Sequence, residues 1–522
     1  MAKNEVDYSL YLVTDSTSAI LGQRNLVDVV EAALEGGVTI VQYRDKVSAT
    51  AHLIATARKL HAVTKRYNVP LLINDRVDVA LAVACEGVHI GQDDIDLKSA
   101  RHLLGDKAII GVTVASIEQA ETACENGADY LGIGTLFSTS TKPDTASIIG
   151  TAGTKSILKA LATRYHHVRT VCIGGINAGN VQRVLYQASD RQKELDGVAV
   201  VSAIIGATDP KLAARGLVEL IRTPPRFAAM ITSQLVEGVS DILRVVPNVI
   251  KAVAQNRPLS HNMTNLVVQN FAANVALAVG ASPIMANNGQ EASDLCKLGG
   301  ALVVNMGTVT PEGLQNYLLA LRAYNLEGGP VLFDPVGAGA TSVRKSAVNS
   351  LMDGGYFDLI KGNEDEIKTV FGVLGTQQRG IDSGHSTLDA IGKATLVRDL
   401  AARERNAVVM TGPIDYVSDG QRTFAIANGH KYLGTITGSG CVLGTTISAM
   451  LAVYRQDKLV AAIAGLLHFE IAAEVAVERD DVHGPGTFVP AFLDEIYRIQ
   501  GQTSVNNLDW LSRAKVEAVV LD

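Results

Sequence analysis

Residues 71–94 read LLINDRVDVALAVACEGVHIGQDD, two short apolar runs separated by a segment of helical length. LLIN and GVHIG have the character of buried strands, and each ends in polar and acidic residues. RVDVALAVACE between them carries an alanine-rich apolar face, so the unit is strand, helix, strand, with Asp75 and Asp94 just past the two strand ends. In a parallel α/β fold that rim is where ligands bind, and a pair of hard carboxylate oxygens there suits Mg²⁺ carrying a substrate's phosphates. A plainer reading stays open: Asp75 precedes a helix and Asp94 a turn, where aspartate serves as a cap.

The same alternation extends to both sides. Strand-like runs recur at SLYLVTD, VTIVQYRD, VPLLINDR, GVHIGQDD, AIIGVTV, DYLGIGT, VRTVCIGG and GVAVVSAI, and most intervals carry helical patterns such as NLVDVVEAALEGG. Eight strand-helix repeats predict a (β/α)₈ TIM barrel. The residues after each strand should then face one mouth. They are Gln42, Arg44 and Lys46 after the second strand, Asn74 and Asp75 after the third, Asp94 after the fourth and Thr113 after the fifth. After the sixth come Thr139, Ser140, Thr141 and Lys142. Cations and amides so placed fit a diphosphate, with the two aspartates supplying its metal. The last two strands end in GGIN (Gly174 to Asn177) and VVSAI (Val201 to Ile205), where barrels often hold a second phosphate against glycine backbone and a helix N-terminus.

The 522 residues exceed what one core usually organises, and RTPPRF (Arg222 to Phe227) breaks both helix and sheet patterns with adjacent prolines. Two domains are expected, 1–225 and 226–522. A composition of 47% hydrophobic residues with 48 glycines suits α/β architecture, and a net charge of −7 argues against nucleic acid or an anionic membrane as partner. The five dispersed cysteines fit a reducing, cytoplasmic compartment. The start MAKNEVDYSL lacks an apolar targeting segment, and no uninterrupted apolar run reaches the roughly 18 residues that span a bilayer.

Beyond the joint, GALVVNMGT, GPVLFDPVGAG, FDLIKGNEDE, NAVVMTG and RTFAIANG are again strands among helices. Here the glycine signal comes late, in TGSGCVLGTTISAML, where a turn opens into an apolar helix with Cys441 on its first turn. This is a backbone cradle for an anion, and no GxxxxGK[ST] accompanies it. The segment Gly375 to Ser386 reads as a mobile loop, and the tail from Gly501 as a packing helix.

QYRDK, NDR, GVHIGQDD, GIGTLFSTSTKPD, GGIN and VVSAI, in this order from Tyr8 to Arg222, resemble thiamine-phosphate synthase. The resemblance implies condensation of hydroxymethylpyrimidine diphosphate with thiazole phosphate. Gln42, Arg44, Lys46, Asn74, Thr113 and Lys142 would hold the pyrimidine diphosphate, with Asp75 and Asp94 on Mg²⁺. Thr139, Ser140, Thr141, Gly175, Val201 and Ser202 would hold the thiazole phosphate. Thr113 stands where the family more commonly has serine. HNMTNLVVQNFAANVALAVGASPIMA, DPVGAGAT, IKGNEDE, MTG, NGHK, TGSGC and GPGTF, from Val239 to Tyr497, resemble hydroxyethylthiazole kinase of the ribokinase-like class. That resemblance implies ATP as phosphoryl donor, Asn265, Val267, Met285 and Gly438 around the thiazole alcohol, Lys361 and Thr411 on ATP, and Asp334 and Glu366 at the metal. Cys441 would be the catalytic base, its thiol pKa lowered by the helix N-terminus. It also implies a homo-oligomer built on a kinase-domain trimer. Together the two halves imply a fungal-type bifunctional enzyme of thiamine biosynthesis. The rivals are a ligand sensor without turnover and a barrel joined to another small-alcohol kinase.

Overall fold

The computed structural model describes residues 3–137, 148–190, 192–228, 236–373 and 388–521. The chain divides into two compact units, Met1–Pro225 and Arg226–Asp522.

In the first unit eight parallel strands close into a barrel in chain order: β1 Leu10–Val13, β2 Ile40–Tyr43, β3 Leu71–Asn74, β4 Gly87–Ile90, β5 Ile109–Val114, β6 Tyr130–Gly134, β7 Arg169–Ile173 and β8 Gly197–Val200. The period-two alternation of a strand sorts its side chains into two cores. Leu10 and Leu12, Val88 and Ile90, and Leu131 and Ile133 join the outer core beneath the helices. Tyr11, Val13, Ile40, Leu72 and Tyr130 form a smaller core inside the barrel. The helix after β3 runs only Val77–Val83 and ends at Ala84 in the left-handed region.

The second unit is a nine-stranded sheet ordered β10-β9-β11-β12-β13-β14-β15-β16-β17. Its strands are β9 Leu259–Met263, β10 Ser282–Ile284, β11 Gly300–Asn305, β12 Val331–Asp334, β13 Leu359–Asn363, β14 Ala407–Thr411, β15 Asp415–Ser418, β16 Thr423–Ile426 and β17 Val516–Ala518. The pairings from β10 to β14 are parallel, and the last three are antiparallel. Separate apolar cores cover its two faces. The helix Lys458–Val477 is the one helix among the described residues long and apolar enough to cross a membrane, and it is buried in the core of this unit.

The tail corrects the expectation of a packing helix. The helix Pro485–Ser504 stops just inside it. Asp509–Arg513 then forms a 3₁₀ turn that buries Trp510, and β17 adds an antiparallel edge strand to β16. The turn residues Asn506 and Asn507 end the helix, Asn506 in the left-handed conformation, which asparagine tolerates. The segment 375–386 lies outside the described residues.

Candidate active sites at two strand rims

The barrel mouth encloses a cavity of about 450 Å³. Gln42, Arg44, Lys46, Asn74, Asp75, Asp94, Thr113, Gly175, Val201 and Ser202 all line it, so the parallel barrel brings together residues drawn from six separate strand ends. Thr139, Ser140, Thr141 and Lys142 lie outside the described residues.

Asp75 is not a helix cap, because Arg76 holds that position and makes no side-chain cap bond. Its backbone is left-handed, with φ of 63°, and its amide donates to the His89 carbonyl across the sheet. A strained non-glycine conformation at a ligand rim is where such cost is usually tolerated. The Asp75 and Asp94 carboxyls come within hydrogen-bond reach of each other. Burial and then Asp94 push the Asp75 pKa up, while Lys46, at 3.0 Å from Oδ2, pulls it down. Asp94 does close a turn as well, since Gly91 N–H donates to its Oδ2 at 2.7 Å. Gln42 is buried in the wall, and its Nε2 has no hydrogen-bond partner among the described residues. A sealed amide donor without an acceptor costs stability, so its presence beside an open cavity points to a ligand.

Past the end of β7, Gly174 and Gly175 both have positive φ, and a Cβ on Gly174 would meet Thr135 Cγ2 at 2.4 Å. The Asn177 and Asn180 amides both donate to the Gly175 carbonyl, fixing the loop. The motif reading missed several cavity residues, among them Tyr11, His89 and Gln92. A histidine between Val88 and Ile90 is the signal that was available: it is the polar inward position of an otherwise apolar strand.

In the second unit Asp334 and Thr411 end the strands β12 and β14, and Lys361 lies at the middle of β13 between them, so the three lie toward one rim. Their charge is already committed. Asp334 is 0% exposed: Asn305 Nδ2 donates to its Oδ2 at 2.8 Å, and Lys361 Nζ lies 3.1 Å from Oδ1 without hydrogen-bond alignment. Lys361 also donates to the Gly440 carbonyl at 2.7 Å. Glu366 accepts from Gly337 N–H and Asn363 N–H, each at 2.8 Å, and completes the capping box of the helix Glu364–Phe371. Burial and then Asp334 push its carboxyl up to about 7. These two acids are thus sealed and spent on the fold, and as they stand they offer no open pair for a metal.

The open element is the helix Ser439–Val453. Gly438 precedes it at φ 86° with no side-chain cap, which leaves first-turn N–H groups available. A Cβ on Gly438 would meet Val268 Cγ1 at 2.3 Å, so glycine is required there for space as well as for conformation. Cys441 sits half-buried on that first turn, 3.8 Å from Asn265 Nδ2, which in turn donates to Asn305 Oδ1 at 3.2 Å. The expectation of a depressed thiol pKa is corrected: burial and then the negative charge of Asp334 push Cys441 up to about 11. Met285 packs against the core helices as a partly buried residue, and Val267 is 74% exposed.

Residues 10–204 match the family described as Thiamine monophosphate synthase, and residues 250–502 match the Hydroxyethylthiazole kinase family. A Schizosaccharomyces pombe protein named "Probable thiamine biosynthetic bifunctional enzyme" is 43% identical over 522 residues, covering 99% of each chain. The "Thiamine biosynthetic bifunctional enzyme" of Saccharomyces cerevisiae is 38% identical over 532 residues, covering 95% of this chain and 96% of that one. A "Hydroxyethylthiazole kinase" of Moorella thermoacetica is 40% identical over 250 residues, 48% of this chain and 91% of its own.

Proposed function

The chain belongs to the family of bifunctional thiamine biosynthetic enzymes, with thiamine-phosphate synthase and hydroxyethylthiazole kinase joined in that order, and from that premise we propose how its residues divide the work. Residues 226–522 phosphorylate hydroxyethylthiazole with MgATP. Residues 1–225 then condense the thiazole phosphate with hydroxymethylpyrimidine diphosphate, releasing thiamine phosphate and pyrophosphate. The observation that carries the site assignment is the barrel cavity, which has an unpartnered Gln42 amide in its wall and two crowded carboxylates on its rim.

In the barrel, Gln42, Arg44, Asn74, Thr113 and Lys142 hold the pyrimidine diphosphate. Lys46, whose side chain is 56% exposed, turns to it from Asp75. Thr139, Ser140, Thr141, Gly175, Val201 and Ser202 hold the thiazole phosphate. Asp75 and Asp94 fit Mg²⁺, being hard oxygen donors close enough that Asp94 opposes the ionisation of Asp75. Such an ion, when bound, neutralises charge gathering on the departing pyrophosphate. The pyrimidine methylene cation left behind is captured by the thiazole nitrogen, and no enzyme nucleophile is needed.

In the kinase half, the uncapped helix start from Gly438 to Cys441 cradles the transferring phosphoryl group. Thr411 contacts ATP, and Lys361 brings its charge beneath the phosphates while holding Asp334 neutralised. Asp334 and Glu366 shape the field that the metal of MgATP meets. Asn265, Val267 and Met285 flank the thiazole alcohol, whose hydroxyl faces Cys441. A largely protonated thiol serves first by positioning that hydroxyl, and proton removal falls to its small thiolate fraction. Leu266 and Val267, both about three-quarters exposed beside Asn265, form an apolar edge that suits a second copy of the chain, in keeping with a trimer built on the kinase half. The five cysteines are all free, as a cytoplasmic enzyme requires.

The test supplies purified protein with hydroxyethylthiazole, ATP, Mg²⁺ and pyrimidine diphosphate. Thiamine phosphate is the expected product, and its absence with all four present would refute both assignments together.

A further inference from the structure

Strand register lays a polar chain across the inside of the barrel. His89 on β4 is opposite Gly111 on β5, Gly111 is opposite Tyr130 on β6, and Thr113 is opposite Gly132. Large polar side chains and glycines therefore alternate over three neighbouring strands. The glycines supply the room: a Cβ on Gly111 would lie 2.0 Å from the Tyr130 ring, and one on Gly132 would lie 2.8 Å from His89 Cε1. In that room Thr113 Oγ1 meets His89 Nε2 at 2.8 Å, His89 Nδ1 meets the Tyr130 hydroxyl at 2.7 Å, and that hydroxyl meets the Tyr11 hydroxyl at 2.8 Å. Thr113, His89 and Tyr11 line the cavity, and Tyr130 is fully enclosed.

The direction of the chain follows from counting donors. A doubly protonated His89 would donate to both Thr113 and Tyr130 and leave two hydroxyl hydrogens of the chain without acceptors, whereas a neutral imidazole, with one N–H donor and one bare nitrogen, leaves only one. Suppose Thr113 donated to His89. His89 would then donate to Tyr130 and Tyr130 to Tyr11, whose O–H has no further partner among the described residues and sits on a side chain only 2% exposed, whereas Thr113 is partly open at the cavity. An enclosed O–H without an acceptor carries its full desolvation penalty. In the opposite direction Tyr11 donates to Tyr130, Tyr130 donates to Nδ1, and Nε2–H donates to Thr113. Only one hydroxyl hydrogen is then left over, that of Thr113 at the cavity wall.

We propose that the Tyr11–Tyr130–His89 chain fixes Thr113 as a hydrogen-bond donor into the cavity, so that the barrel selects a pyrimidine diphosphate presenting an acceptor there. The acceptor is the lone pair of a ring nitrogen or a diphosphate oxygen; a ligand amino group at that point could use only the second lone pair of Thr113 and would leave the Thr113 O–H without an acceptor. His89 and Tyr130 are positioning residues that act through Thr113, and the chain moves no proton. This inference rests on the reading that Thr113 contacts the pyrimidine diphosphate.

The experiment measures condensation by the full chain at saturating thiazole phosphate, with pyrimidine diphosphate varied, for Thr113→Val, Tyr130→Phe, the double variant and Thr113→Ser. Thr113→Val is expected to lower kcat/KM by about 30-fold, and Tyr130→Phe by about tenfold, because the imidazole is then free to take the other tautomer and draw the Thr113 O–H inward. The double variant should be no worse than Thr113→Val alone, and Thr113→Ser should stay within about threefold of the parent. Additive losses in the double variant, or an unaffected Tyr130→Phe, would overturn the chain. An unaffected Thr113→Val would instead overturn the reading of Thr113 itself. Imidazole ¹⁵N spectra, with His89 assigned by its loss in His89→Gln, read the tautomer in the unmutated parent chain: Nε2 protonated and Nδ1 bare is expected, and the reverse tautomer overturns the proposal.

Discussion

The two rims carry the same kinds of residue and use them in opposite ways. At the barrel mouth Asp75 and Asp94 lie side by side on the wall of an open cavity with one exposed lysine for company. On the sheet rim of the second unit, Asp334 and Glu366 are sealed, and Lys361, Asn305 and two main-chain N–H groups already occupy them. An open acid pair raises its own energy and lowers it by taking a ligand. A sealed pair with its countercharge is part of the scaffold, and its loss is felt as an uncompensated buried charge. Contacts made only with substrate in the kinase half must therefore come from elsewhere, and the uncapped helix start at Gly438 is where N–H groups are left over.

Three substitutions can break or sharpen this contrast. The largest effect is expected at Cys441. Cys441→Ala should cost roughly 10²-fold to 10⁴-fold in thiazole phosphorylation if the thiol touches the reacting hydroxyl as proposed, while condensation of supplied thiazole phosphate stays at the parent rate. Parent-level phosphorylation by the alanine variant would reduce Cys441 to packing. Next is Asp334→Ala, which strands the Lys361 ammonium in a site where its side chain is 3% exposed. Urea denaturation should register a loss of about 3–5 kcal/mol. Third is Asp75→Asn. It should lower condensation by roughly 10²-fold, about 2.7 kcal/mol of transition-state stabilisation, yet leave the urea midpoint unchanged or higher because a like-charge contact is relieved. If Asp75→Asn destabilised the chain as Asp334→Ala does, the barrel pair would be scaffold too and the contrast would fail.

What could be seen in the sequence follows the same line between local and distant causes. Parallel strands buried on both faces are apolar runs, and the change to polar residues at their ends marks the mouth. The barrel order and the rim positions of Gln42, Asp75 and Asp94 were therefore legible from stretches such as LLIND and GVHIGQDD. The enclosure of Asp334 was not. Its partners Asn305 and Lys361 stand 29 and 27 positions away, and only the sheet register brings them together. The thiol of Cys441 was misjudged for the same reason: the helix start is local, whereas Asp334 and the burial that outweigh it are not. β17 was missed because it pairs with β16 across some 90 residues of chain and has little apolar character of its own.

The smallest effect separates two buried histidines. His89 and His468 are both pushed down to about 4 by burial. His89 has a hydroxyl at each nitrogen, whereas His468, inside the apolar helix Lys458–Val477, donates Nε2–H to the Ile496 carbonyl at 2.8 Å and has no partner at Nδ1 among the described residues. An imidazole with a vacant, enclosed nitrogen is a stability element with a pH cost and no chemistry. The sign follows from linkage. The unfolded chain binds a proton near the ordinary value of about 6.5 and the fold refuses it until about 4, so stability is whole above pH 6.5 and drains as pH falls towards 4. Between pH 7.5 and 5.5 this one residue should cost about 1 kcal/mol. His468→Met keeps the volume and cannot take a proton, and the Ile496 carbonyl retains its place in the helix Pro485–Ser504. Urea midpoints of parent and variant at both pH values isolate the term, because every other titrating group is common to the two. The gap between the pH values should shrink by about 1 kcal/mol in the variant. An unchanged gap would mean that His468 reaches solvent or finds a counterion when protonated, and the division between a working histidine in the barrel and an inert one in the sheet unit would lose its physical basis.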